Sequence, residues 1–272
     1  MEELTKKQEI WAKEMKLKAL DMALSTGFNG SHIGGGFSAM EIYSVLYSGI
    51  LNVGPNVKED IARDRIIASK GHGVLAQYTA LWKAGLVTDE DLATFDKNGT
   101  HFYGHPSRNL DKGIEFSAGS LSLGLSFAVG VAISCKRREL NNRVIVIVGD
   151  GECNEGLVWE SLMSASNFEL DNLTIIVDKN GYQLDGTTEE IMDSYNLSEK
   201  FNAFGFEVEE VDGHDCSKLT YAIQKRYDRP NVIIANTVKA HGISFLENNK
   251  MSHMCPLSQK QYDQAVMEIK GE

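Results

Sequence analysis

The stretch VIVIVGDGECNEG, residues 144–156, decides the fold. Its first five residues are apolar without alternation. A strand of that kind must be covered on both faces, which places it in the middle of a parallel sheet with helices on either side. Gly149-Asp150-Gly151 ends the strand, and Leu157 to Phe168 carries the spacing of a following helix. The next apolar run, Leu173 to Val177, ends in Asp178-Lys179-Asn180. Strand, helix and strand thus fill one crossover unit.

The same alternation extends in both directions. Downstream, the pattern predicts a helix (about 197–204), a strand (206–211), a helix (216–227) and a strand (231–238). Upstream, Ile66-Ile67-Ala68 reads as a short buried strand, followed by Lys70-Gly71-His72-Gly73 and a helix through Leu81. A Gly/Ala/Ser-rich apolar helix is expected from Ser120 to about Leu140, its small residues allowing close backbone approach. Before these lie a helix from about Leu4 to Ser25, a capping box at Ser38-Ala39-Met40-Glu41 opening a helix over Ile42, Val45 and Leu46, and a short helix capped by Thr88 over Leu92 and Phe95. This order predicts an α/β doubly wound, mostly parallel sheet with helices on both faces.

With 272 residues, 42% of them hydrophobic, one substantial core can form, and a single domain over 1–272 with short terminal extensions is expected. The net charge of −11 and the lack of a long basic run argue against a nucleic-acid or anionic-membrane partner. Cys135, Cys153, Cys216 and Cys255 form no C-x-x-C pair and no zinc-finger spacing with histidine, which suits a reducing compartment. The charged start MEELTKKQEIWAKEMKLKAL has no signal-peptide core, and no apolar run nears the roughly 20 residues of a membrane span. A cytoplasmic protein is expected.

In an open parallel sheet, ligands bind beyond the carboxyl ends of the strands. Asp150 and Asn180 stand at two adjacent strand ends, 30 positions apart. A carboxylate, an amide oxygen and a backbone carbonyl, completed by diphosphate oxygens and water, suit octahedral Mg²⁺. The glycines at 149 and 151 allow close phosphate approach. G-D-G alone fits a polar strand-to-helix turn equally well; the second half one unit downstream favours the metal reading.

GDGECNEG…DKNGYQLDG resembles the thiamine-diphosphate fingerprint, and its details resemble the amino-terminal half of transketolases. SHIGGGFSAMEIYSVLY, DRIIASKGHG, YGHPSR and GIEFSAGSLSLGLSFAVG are similar to transketolase segments in the same order, so the resemblance covers almost the whole chain. It implies a thiamine-diphosphate fold, with Asp150, Asn180 and the Tyr182 carbonyl binding Mg²⁺. Gly149 and Gly151 would border the diphosphate, Gly119 and Leu121 the aminopyrimidine ring, and Glu155 would join a carboxylate network at a subunit contact. His32 and His105 would face the sugars, and His72 and His253 the diphosphate. Imidazole can move protons near neutral pH and hydrogen-bond sugar hydroxyls. His101, His214 and His241 read better as structural or solvated, and Arg108 is a candidate phosphate contact.

The chain departs from the family pattern in two places. Met254 stands where glycine usually follows the histidine, and Ser122-Leu123 replaces the glycine and glutamine of S-L-G-Q-G. The resemblance further implies two-carbon ketol transfer from a ketose phosphate, or a related acidic sugar, to an aldose. The glutamate that activates thiamine diphosphate sits in a second family domain not recognised here. The expected partner is therefore a carboxy-terminal subunit supplying it, in a heterotetramer of two copies each. The alternatives are deoxyxylulose-phosphate-type synthesis, 2-oxoacid decarboxylation or dehydrogenation, and a non-catalytic partner subunit. The histidine set argues against 2-oxoacid chemistry and against a dead subunit.

Overall fold

Five strands form one wholly parallel sheet in the computed structural model, which describes residues 2–271. They are β1 (Arg65–Ala68), β2 (Val144–Gly149), β3 (Leu173–Lys179), β4 (Glu207–Asp212) and β5 (Asn231–Asn236), in the spatial order β1-β2-β3-β5-β4. β2 and β3 pair in register from Val144↔Leu173 to Gly149↔Asp178. The helices are α1 (Glu2–Ser25), α2 (Ile33–Phe37), α3 (Met40–Val45), α4 (Val74–Lys83), α5 (Asp89–Leu92), α6 (Leu123–Arg137), α7 (Gly156–Asn167), α8 (Thr188–Met192), α9 (Leu197–Ala203), α10 (Cys216–Gln224) and α11 (Gln259–Lys270).

The unbroken apolar strands serve two cores. Ile145 and Ile147 face α1, α3, α4 and α10, while Val144, Val146 and Val148 face α6, α7 and α9. The sheet is covered on both sides, as the pattern of residues 144–148 requires. α6 comes close to the end of β1: a Cβ on Gly124 would lie 2.6 Å from Ser69 Cα.

Several boundaries differ from expectation. α6 begins at Leu123 because Ser122 is held left-handed (φ 71°), which no helix continues. α10 stops at Gln224 and β5 at Asn236, and α2, α8 and α11 have no counterpart in the sequence pattern. The capping box at Ser38 does not form. Ala39 is the residue before α3 and no side chain caps it. The Ser38 hydroxyl is drawn instead to the buried carboxylate of Asp178, 2.5 Å away, and to the Gly35 carbonyl. Ser38 has helical backbone angles (φ −63°, ψ −28°) at the end of α2, not the extended conformation of an N-cap.

Candidate active site

All five strands run the same way, so their carboxyl ends lie along one edge of the sheet. There β1 leads to His72, β2 to Asp150, β3 to Asn180, and β5 to Lys239. With Gly35 of α2, His105, Gly119, Leu121, Tyr182 and His253 they enclose a cleft of about 290 Å³. Of the residues singled out in the sequence, Gly149 and Gly151 also line it. His32 lies just behind. Its ring centroid is 4.9 Å from that of His105 and 5.4 Å from that of His253. His72 and His253 are also 5.4 Å apart, so the four matched histidines form one cluster. The close contact of His72 with α2 depends on glycine: a Cβ on Gly35 would lie 2.5 Å from His72 Cδ2.

Burial sets the charge of this cluster. It lowers His32 to about 4, helped by His105 and His253. Burial lowers His253 to about 4 as well, helped by Lys239 and Lys70. His72 is pushed well down by burial and Lys70, and His105, the most exposed of the four, is lowered by its partial burial. At neutral pH all four imidazoles are therefore neutral, three lining the cleft and His32 just behind it. His32 Nδ1 is buried with no hydrogen-bond partner.

Two carboxylates under the cleft are treated differently. Asp178 is wholly buried and paired with the equally buried Lys70, with Ser38 and Thr237 donating to the same carboxylate. Burial would raise Asp178, but Lys70 and these donors outweigh it and hold it below the usual range. Asp150 accepts N–H bonds from Gly151 (2.9 Å) and Gly181 (2.7 Å). Among the described residues, no side-chain cation forms an ion pair with it. Burial, then Asp178, raises it to about 6. Asn180 Oδ1 accepts the Tyr182 N–H at 3.1 Å.

Several residues in or beneath the cleft were not singled out in the sequence. Lys239 is buried, donates to the Gln183 carbonyl at 3.2 Å, and is lowered to about 8 by burial and then Lys70. Its signal is its place just after the last strand. Lys70 and Asp178 stand inside quoted motifs, beside His72 and Asn180. Glu152, almost wholly buried, accepts N–H bonds from Ser122 (2.7 Å) and Gly149 (3.0 Å) and ties α6 to the G-D-G turn. Glu155 is not part of the cleft: it is exposed at the N-cap position of α7. Arg108 and His101 are exposed and do not line the cleft either.

This sheet edge, with an acid and an amide at adjacent strand ends and imidazoles opposite, defines the class: the chain belongs to the transketolase family, as its thiamine-diphosphate-binding domain. The family model "Transketolase, thiamine diphosphate binding domain" matches residues 8–270. The chain is 36% identical over 244 residues to the 6-deoxy-6-sulfo-D-fructose transketolase subunit of a Clostridium species, covering 89% of each chain. It is 37% identical over 245 residues to an apulose-4-phosphate transketolase subunit of Actinobacillus succinogenes, again covering 89% of each. Transketolase from Leishmania mexicana superimposes with a TM-score of 0.88 at 26% identity, over 97% of this chain and 41% of that one. The chain thus spans about two fifths of the length of that single-chain transketolase and most of the length of the subunit relatives.

Proposed function

We propose that the cleft seats thiamine diphosphate with Mg²⁺, and that the chain works with a complementary subunit to move a two-carbon ketol unit from a ketose to an aldose. The observation that carries this reading is the pairing of Asp150, a buried carboxylate without a counter-cation, with Lys239, a buried cation on the same cleft wall. The first calls for a divalent cation and the second for an anion, and a magnesium diphosphate supplies both.

Asp150, Asn180 and the Tyr182 carbonyl would hold the metal. Gly149, Gly151, His72, His253 and Lys239 would border the diphosphate, with Gly119 and Leu121 beside the ring. His32 and His105 would face the sugar. Being neutral, they can accept from and donate to its hydroxyls, and the unpartnered Nδ1 of His32 suits an incoming hydroxyl. When bound, thiamine diphosphate supplies the carbon nucleophile that carbon–carbon bond transfer needs.

The two subunit relatives are named for a sulfonated fructose and for a sugar phosphate. An acidic sugar, phosphorylated or sulfonated, is accordingly the substrate class we infer. Their designation as subunits supports a second chain that contributes the activating glutamate, in a heterotetramer of two copies each. Exposed apolar side chains beside the cleft support a covered face: Leu123 at the start of α6 is 47% exposed and Leu184 on the cleft wall 60%. The four cysteines are free thiols, which suits the cytoplasm, and no helix among the described residues is long and apolar enough to cross a membrane.

The test is thermal stability with and without thiamine diphosphate and Mg²⁺, for the chain by itself and with a candidate complementary chain. Ligand at 100 times its dissociation constant stabilises by about 2.7 kcal/mol. A Mg²⁺-dependent rise that grows with the partner and vanishes in Asn180→Ala is expected. No rise with a partner that demonstrably binds would remove the cofactor from this cleft.

A further inference from the structure

A second cluster of titratable groups lies behind the cleft. Glu41 of α3 is buried, and its carboxylate accepts from Lys16 Nζ of α1 at 2.6 Å and from His214 Nδ1 at 2.9 Å. The His214 and His241 rings stack with centroids 3.6 Å apart, and Lys16 Nζ is also 3.1 Å from His241 Nδ1. Glu41, His214 and His241 have ligand atoms within 4.8 Å of one another, a spacing that suits a metal. A cation does not fit there, because Lys16 already bonds two of the three and both ring nitrogens of His214 are engaged.

The second nitrogen reveals the purpose of the cluster. His214 Nε2 lies 2.8 Å from the backbone nitrogen of Val238. A backbone N–H can only donate, so Nε2 accepts and is unprotonated. The ring proton is then on Nδ1, where Glu41 takes it. A buried carboxylate thus fixes the tautomer of an imidazole, which in turn fixes a backbone amide. That amide immediately precedes Lys239, the cation of the cleft wall. The turn it holds is strained: Ala240 is fully buried at φ 61°, a left-handed conformation that costs a residue with a Cβ. Ala240 N–H donates to the Gly34 carbonyl (3.1 Å), and Thr237 donates to Asp178. The turn is pinned on both sides of Lys239.

We infer that Glu41 and His214 form a positioning pair, which holds the Val238–Ala240 turn so that the Lys239 ammonium faces the diphosphate. The inference rests on the reading that Lys239 contacts the cofactor. Neither member of the pair touches the cleft.

The variants that test it differ in which ring nitrogen they imitate. Asparagine at 214 places an amide near Nδ1 and keeps the Glu41 contact, but nothing reaches Val238. Glutamine extends an acceptor to the Nε2 position. Hydrogen exchange of the segment 237–243 in the unliganded chain reads the turn directly. Thiamine diphosphate affinity at saturating Mg²⁺, in the assembled enzyme, reads its consequence. His214→Ala and His214→Asn should lose protection and weaken cofactor binding about tenfold, the loss of one buried hydrogen bond, with kcat at saturating cofactor unchanged. His214→Gln should restore both. The effect should disappear in a Lys239→Met background, because there is no longer a cation to position.

If asparagine and glutamine variants match each other in exchange and affinity, with only melting temperature lowered, the pair is structural and the inference falls. If Lys239→Met itself leaves cofactor affinity unchanged, the cofactor contact falls first. If Lys239→Met weakens binding and no His214 variant does, the positioning inference alone is overturned.

Discussion

Ser122 and Ala240 are two non-glycine residues held left-handed beside the cleft, at φ 71° and 61°. A Cβ in that conformation costs about 1–2 kcal/mol, while glycine gives back roughly 0.5–1 kcal/mol in unfolded-state entropy. Ser122→Gly should therefore raise stability by about 0.5–1 kcal/mol, visible as a higher melting temperature. The contact that matters, its backbone N–H to Glu152, is retained. A fall in melting temperature would mean that the serine hydroxyl, bonded to the Leu121 carbonyl at 2.5 Å, outweighs the backbone strain. Gly35 is the opposite case. A Cβ there would meet the His72 ring, so Gly35→Ala should displace the imidazole and weaken thiamine diphosphate binding at least tenfold, with a folded far-ultraviolet spectrum, by titration at saturating Mg²⁺. Unchanged affinity would show that His72 can move without consequence. These residues also mark what sequence can reveal. Asp150, Asn180 and the four clustered histidines are legible because strand-end motifs carry them. Lys239 is not, since a lysine after a strand has no distinguishing neighbours. His214 reads as an ordinary solvated histidine because its partners, Glu41 and Val238, are distant in sequence.

The elements follow the same division. Strands β2, β3 and β5 are readable because double-sided burial leaves an unbroken apolar run. β4, at the sheet edge, is readable only approximately, since Glu207, Glu209 and Glu210 interrupt it. Caps are the least reliable signal. The box expected at Ser38 does not form, whereas Thr88/Asp91, Thr187/Glu190 and Ser258/Gln261 all do. The boxes that form have an extended residue at the N-cap, whereas Ser38 has helical backbone angles. Ser38 lies under the cleft, where Asp178 must be satisfied. Two serines of similar local sequence should thus respond differently. Ser258→Ala should cost about 1 kcal/mol, the usual loss of an N-cap, and leave cofactor binding intact. Ser38→Ala removes a donor from a buried carboxylate and should cost about 1–3 kcal/mol. Urea denaturation of both variants separates the two roles. Equal losses would mean that the Ser38 hydroxyl contributes no more to the buried carboxylate than an exposed cap contributes to its helix.

At the scale of the whole molecule, the cleft holds its imidazoles in their uncharged form, and acid should expose this. His32 and His253 titrate near 4 in the folded chain, against about 6.5 for an unperturbed imidazole. His72 and His105 are lowered as well. Between about pH 6.5 and 4 the unfolded chain takes up protons that the folded chain refuses, so these four groups favour unfolding as pH falls. Two carboxyls act in the other direction. Asp150 takes up its proton near 6 when folded, and Glu152 is also raised by burial, so both favour the folded chain over part of the same window. Four groups outweigh two, and the unliganded chain should lose melting temperature steadily from pH 7 to pH 5. Glu41 and Asp178, held low by their partners, add their loss only below the ordinary carboxylate range. The double substitution His32→Asn and His253→Asn removes two refusing groups and should flatten the slope, leaving Asp150 and Glu152 to offset the remaining two histidines. Calorimetric scans of both proteins across pH 5 to 7.5 decide it. Parallel curves for wild type and double variant would mean that the imidazoles titrate normally in the folded chain, and that the cleft is wetter and more open than its burial implies.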